Sequence, residues 1–518
     1  MLPLGTSGNT VRAFNVFTTQ SSARRLTGII GLLGILALMA LPWADLAIVQ
    51  SEPWPELQRL ANGILLPYWD DPYQLLESLA QTLAFALLAV ALSAPIGLVF
   101  ALVFHWRMVR WLCAAVRSVH ELFWGLLLMQ VFGLSATTGL LAILIPYSGV
   151  FAKVYAETLA LQDNSPARST GFWSNGLQHS CGISRLVLWC YTRIPQAWPA
   201  LSSYTRYRFE CALRSSAILG FIGLPTLGFH LETAFKQGLY SQAGAVLWAF
   251  LILIGTISYW LKPRLIPIYL IAAIWLLPET VGLSNSGYFW QFISQDIWPT
   301  ALQHGDIKGT LDWLGHLWEE QAWPGLIQTV LLTQIALFLT LMVTLLVYPL
   351  ANRLITGNMG ASAGQVLLLI MRSTPEMMLA FVFMLLFGPS GLPAVLALAI
   401  HNGGLIGFLV TRNCESDAHK NRPDDPFGLA RYVYLDTPRQ LPSLMAWLFY
   451  RWEVMLRESA IMGVLGITTL GFYIDSAFEE IRYDRALFLI LITVLLTVIV
   501  DGCSRWLRHK GCVEDAIG

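Results

Sequence analysis

The sequence predicts an all-α, polytopic membrane protein of about 12 transmembrane helices, arranged as two parallel six-helix repeats. Three observations carry that prediction. Of 518 residues, 56% are hydrophobic and only 12% charged, with a mean hydropathy of +0.59, whereas soluble domains carry about 25% charged residues. Apolar stretches long enough to span a bilayer recur along the whole chain. One charged motif set in such a stretch occurs twice. Arg208, Glu210, Arg214 and Ser216, followed by Gly220, Gly223 and Gly228, return 243 residues later as Arg451, Glu453, Arg457, Ser459, Gly463, Gly466 and Gly471.

Taken in order, spans are expected at 27–48, 75–104, 111–132, 138–160, 197–222 and 243–261, then at 263–281, 324–351, 364–388, 391–411, 441–466 and 487–507. Arg12, Arg24 and Arg25 before the first run resemble a secretory leader. No small-x-small cleavage site follows, and Leu41-Pro42-Trp43 reads as an interfacial exit, so the first span is read as retained. Basic residues set the orientation. With the N-terminus inside, the inner loops collect Arg24, Arg25, Arg107, Arg110, Lys262, Arg264, Arg353, Arg412, Arg505 and Arg508 among others, against Arg59, Lys236, Lys308, Arg482 and Arg485 outside. Both termini are therefore expected in the cytoplasm. Segments 50–74 and 282–322, rich in Trp, Pro and acidic residues, belong at the outer interface, beside lipid headgroups. The net charge of zero points to no class of partner, and nothing calls for nucleic acid.

Six spans separate the two motifs, and an even number preserves orientation. The copies are parallel, with halves at 1–262 and 263–518 and any pathway between them. The repeat reaches further than the motif. Arg117-Ser118, Glu121, Phe132-Gly133 and Gly149 recur 255 residues later as Arg372-Ser373, Glu376, Phe387-Gly388 and Gly404, and Gln81-Thr82 echoes in Gln328-Thr329.

Ionisable residues inside a membrane helix are costly and mark structural pairs or transport paths. Glu210 with Arg214, and Glu453 with Arg457, stand four apart on one helix face and suit structural ion pairs. Arg117 with Glu121, and Arg372 with Glu376, have the same spacing at helix starts. Arg208 and Arg451 fall on the other face, with Ser216 and Ser459 among small residues and no acidic residue one turn away. These two arginines can be structural partners of Glu121 and Glu376, or donor forks for an anion in transit. The second role is expected of them. His401 and Asn402, opposite Ser148 of the first half, are further candidates for meeting a polar solute. No phosphate-binding loop, zinc-protease pattern or nucleophile elbow is present, and the seven cysteines form no C-x-x-C pair. No catalytic residue, metal site or bound cofactor is expected.

On the doubled Arg-x-Glu-x-x-x-Arg-x-Ser pattern with its glycines, and on the Arg-x-x-x-Glu element followed by Phe-Gly, the chain resembles permease subunits of phosphonate-type ABC importers. The resemblance covers about 75–265 and 324–510, as two copies fused. It implies an inner-membrane subunit carrying a phosphonate, phosphate or phosphite. Two copies of a separate ATPase would supply ATP and Mg chemistry, and a periplasmic or lipid-tethered binding protein would deliver solute. It also implies ATPase docking through the inner loops, at Glu157 and Gly182 in the first half and Gly428 in the more eroded second. The rival is a secondary transporter of 6+6 design for an anionic solute, without ATP.

Overall fold

The computed structural model describes residues 26–50, 52–160, 162, 191, 193–277, 286–417 and 424–510. Gly182 lies outside them. The described residues form helices and connecting turns, with no strand among them. The protein is an all-α, multi-pass membrane protein.

The first repeat runs through α1 (Leu26–Ala40), α2 (Trp54–Leu65), α3 (Pro72–Leu102), α4 (Arg107–Ser118), α5 (Glu121–Phe132), α6 (Ala136–Ala160), α7 (Ile194–Ile218), α8 (Leu227–Lys236) and α9 (Tyr240–Gly255). The second runs through α10 (Ile266–Leu276), α11 (Ile307–Leu317), α12 (Trp323–Val347), α13 (Arg353–Ser373), α14 (Glu376–Phe387), α15 (Gly391–Ser416), α16 (Thr437–Val464), α17 (Leu470–Glu479) and α18 (Tyr483–Lys510). Helices α3, α6, α13, α15, α18 and the continuous Ile307–Ala351 are long and apolar enough to cross a bilayer. Helices α1, α9, α14 and Pro263–Leu276 are shorter apolar helices. At 28 residues α16 is long enough, but it carries Arg451, Glu453, Arg457 and Glu458.

The span expected at 111–132 is not one rod. It is α4 and α5, meeting at 93°. Val119 and His120 leave the helical region, and the His120 imidazole accepts the Leu122 N–H at 3.1 Å, capping α5 from its own N-cap position. The second copy breaks at the same place through Thr374 and Pro375, both extended. A break between an arginine and the glutamate four residues on is invisible to hydropathy, because both flanks stay apolar.

Packing divides the chain differently from the repeat. The unit built on Ile307–Ile481 includes α1, whose Leu26, Leu33 and Ala40 share one buried cluster with Leu332, Ile335, Ala336 and Leu337 of α12. The unit built on Gln58–Asp306 includes α10, which lies along α3. Helix α1 thus packs in the unit that holds the second motif, and α10 in the unit that holds the first.

The repeated glycines and threonines have specific work at the helix ends. Gly223 and Gly466 take φ of 94° and 83°, ending the long helix before α8 and α17. A Cβ on Gly228 would stand 1.6 Å from the Ala217 carbonyl oxygen, and one on Gly471 1.8 Å from that of Ala460. The short outer helix therefore touches the long one backbone to backbone. Its first N–H is capped from a third helix: Thr82 accepts from Leu227 at 2.9 Å, and Thr329 from Leu470 at 3.0 Å. The weak Gln-Thr echo in the sequence is this cap. Gly228→Ala or Gly471→Ala should destabilise the protein by about 1–3 kcal/mol or more through overpacking against fixed backbone. Thr329→Val should cost about 1 kcal/mol as a lost cap. Thermal unfolding midpoints in detergent should fall in that order; an unshifted Gly228→Ala midpoint would show that the outer helix is not held there.

Candidate functional site

Each repeat builds a buried polar cluster around its lone arginine, and the two clusters use the same positions with different chemistry. In the first, Arg208 of α7 stacks its guanidinium 4.2 Å from the centre of the Tyr147 ring on α6. Tyr147 is fully buried, and its hydroxyl lies 3.2 Å from Ser215 Oγ, two turns beyond Arg208 on α7. In the second, Arg451 Nε donates to Asn402 Oδ1 of α15, and an Arg451 terminal nitrogen lies 3.2 Å from Glu458 Oε1. Asn402 closes the triangle by donating to Glu458 Oε2 at 3.2 Å and to the Leu398 carbonyl at 2.9 Å. By the two repeat offsets, Tyr147 corresponds to Asn402 and Ser215 to Glu458. An aromatic-hydroxyl cradle in one copy is an amide-carboxylate cradle in the other.

The glutamate after each break also meets an imidazole, from opposite directions. His120 Nε2 is 3.0 Å from Glu121 Oε2. Because His120 Nδ1 accepts the Leu122 N–H, the proton sits on Nε2 and is donated to the carboxylate. In the second copy His401, on α15, donates from Nδ1 to the Thr374 carbonyl at 3.0 Å and sets Nε2 3.7 Å from Glu376. Pro375 stands where the first copy has His120, and Pro146 where the second has His401.

The remaining candidates fall as follows. Ser216, Ser459 and Ser148 are buried, and their hydroxyls donate to carbonyls of their own helices, Leu213, Leu456 and Leu144. Their outward capacity is that of acceptors. Ser148 lines a small cavity of about 200 Å³ with Phe100 and Leu144. Glu210 and Arg214 are half-buried, and Arg214 reaches Cys211 Sγ at 3.3 Å. Glu453 is buried and Arg457 half-buried. Arg117 is buried beside the first break, while Arg372 stacks 4.1 Å from the Phe408 ring centre.

At the inner loops, Glu157 is exposed at the end of α6. Gly428, with φ of 64°, opens a short helix whose Arg431 is bound to Asp436 at 3.2 Å. Asn352 holds the same carboxylate oxygen at 3.0 Å. Burial pushes the Asp436 carboxyl above the usual carboxylate range, and Arg431 pulls it back. Phe427, Leu429 and Tyr434 stand exposed on this anchored segment.

Sequence reasoning missed Glu458, His120, Tyr147 and Ser215 as partners. Glu458 is seven residues from Arg451, two turns along the same face, and a search for a partner one turn away passes over it.

Each copy of the internal repeat of apolar helices thus holds one arginine-centred polar cluster. Along 87% of its length the chain is similar, at 23% identity, to a phosphate-import permease protein of Mycolicibacterium smegmatis, of which the match covers 88%. A phosphite transport system permease protein of Stutzerimonas stutzeri is 24% identical over 39% of the chain and 74% of its own length, as a single-copy relative matching one repeat would be. No protein-family model matches the chain, and no solved structure does. These relatives bear out the resemblance to phosphonate-type permeases and the fused, two-copy layout.

The two clusters should respond unequally to truncation. Glu458→Ala takes the carboxylate from Arg451, leaving it Asn402, and should cost about 3–5 kcal/mol, as breaking one side of a buried pair does. Ser215→Ala removes one neutral hydrogen bond and should cost about 0.5–1.5 kcal/mol. Folded protein per membrane, read by fluorescence-detected gel filtration, should drop sharply for the first and little for the second. Equal yields would contradict the Arg451–Glu458 assignment.

Proposed function

We propose that this chain is the complete membrane-spanning part of an ATP-driven importer for a phosphorus oxyanion: phosphonate, phosphate or phosphite. The observation that carries the proposal is the similarity to a phosphate-import permease along 87% of the chain, together with the arginine cluster repeated at equivalent positions of the two copies. A tetrahedral oxyanion needs several donors fixed in space, and a guanidinium offers a planar fork that matches two of its oxygens. Arg208, cradled by an aromatic face, is the residue proposed to meet the anion first. Arg451, already engaged with Asn402 and Glu458, releases its fork only as the cluster rearranges during alternating access. His401 and Asn402 belong to that rearranging cluster, and Glu210, Arg214, Glu453 and Arg457 hold their helices.

The same reading places the chain in the bacterial inner membrane with both termini inside. Two ATPase subunits hydrolyse ATP with Mg, and a periplasmic or lipid-tethered binding protein delivers the solute. The exposed Phe427, Leu429 and Tyr434, on a segment pinned by Arg431, Asp436 and Asn352, suit an apolar ATPase groove. Glu157 and Gly182 are the counterpart in the first half.

Arg208→Ala should keep near-normal protein in the membrane yet lower uptake of labelled phosphate or phosphite about tenfold or more at subsaturating solute, from loss of a charge-assisted contact. Arg208→Lys should rescue poorly, because an ammonium lacks the fork. Normal uptake in Arg208→Ala at normal expression would return the residue to a structural role. The mass of the purified complex should correspond to one permease chain per two ATPase subunits; two permease chains would sink the single-chain pathway.

A further inference from the structure

The unit built on Gln58–Asp306 holds an open cleft whose equivalent face is filled in the other unit. Its volume is about 550 Å³, and its walls are Leu87, Val90 and Ala91 of α3, Phe209 of α7, and Ile266 and Leu270 of α10. Into these apolar walls α7 presents Trp198, Ser202, Ser203, Thr205 and Arg206. Arg206 is exposed, two residues and about 200° around the helix from Arg208, so it belongs to a different surface. Ser202 and Ser203 lie four and three residues before it, on the same face.

In the second copy the equivalent positions are Met445, Ala446 and Phe449. All are fully buried, in one cluster with Leu26 and Leu33 of α1. Where one copy seals this face with hydrocarbon, the other leaves a cavity edged by a cation and hydroxyls. A guanidinium among apolar walls inside a bilayer is costly unless an anion or water meets it. Among the described residues no carboxylate is paired with Arg206. Leu261 and Pro263 also line the cleft, and the exposed Lys262 and Arg264 stand next to them in the chain.

We propose that this cleft binds an anionic phospholipid of the leaflet at which α7 begins. The headgroup phosphate, whose charge no choline ammonium offsets, accepts from Arg206 and Ser203, and an acyl chain lies along Leu87, Val90, Phe209, Ile266 and Leu270. Basic pockets between membrane helices select acidic lipids in this way, by one charge-assisted contact plus apolar burial. The apolar majority of the wall separates this ligand from a free oxyanion, which would leave those surfaces empty. The inference rests on the membrane fold alone and is independent of which solute is carried.

Native mass spectrometry of the full chain, released from detergent and titrated with phosphatidylglycerol, phosphatidylcholine or inorganic phosphate, tests it. Wild-type protein should retain phosphatidylglycerol in preference to phosphatidylcholine. Arg206→Leu should weaken phosphatidylglycerol about tenfold, the loss of one charge-assisted bond, and leave phosphatidylcholine unchanged. Ala91→Phe, which fills the cleft and leaves the cation in place, should also expel the lipid. Equal retention of both lipids by wild type, unchanged phosphatidylglycerol binding in Arg206→Leu or in Ala91→Phe, or displacement of phosphatidylglycerol by millimolar inorganic phosphate would each overturn the proposal. The last would mark a free-anion site instead.

Discussion

A guanidinium held in hydrocarbon must be answered by something, and that requirement organises both repeats. Arg208 and Arg451 occupy equivalent positions on equivalent helices, and each draws in a side chain from the helix before its own. In one copy the answer is a ring face tethered by a hydroxyl; in the other it is an amide bridged to a carboxylate. Both solutions fix α6 to α7, or α15 to α16, through the same pair of positions. They differ in formal charge: Glu458 adds a negative group where Ser215 adds none. The two copies are therefore not interchangeable electrically.

The same divergence with conserved geometry governs the broken helices. Each copy needs an imidazole against the glutamate that follows its break, and each has a proline where the other has its histidine. The proline at the break in the second copy has no side chain that can cap α14, and the histidine there is supplied from α15. In the first copy His120 does both jobs, capping α5 and meeting Glu121.

Much of this was legible in the sequence. Composition and apolar run length gave a helical membrane protein, and the motif offset gave a parallel repeat, because both are one-dimensional signals. The glycines of the motif were visible as repeats, but their reason was not: Gly228 and Gly471 matter because another helix's carbonyl lies where a Cβ would be. The right-angle break at His120 hid inside a continuous apolar run. Glu458 hid because two turns of helix separate it from the arginine it binds. The assignment of α1 and α10 to opposite cores left no trace in hydropathy, since either core would accept an apolar helix.

That assignment bears on how the chain is made. During synthesis α1 enters the bilayer long before Leu332, Ile335 and Leu337, against which it packs, have been translated. It must wait as a lone helix, stable in lipid because its backbone is internally satisfied. The first repeat, for its part, lacks α10 until the seventh hydrophobic segment is inserted. Neither core can close in the order in which it is written. A chain cut between α9 and α10 would give two fragments, each carrying a helix that packs in the other's unit. Fusion of the copies supplies both exchanged helices at high effective concentration and in fixed stoichiometry, which two separate chains would have to achieve by encounter in the membrane.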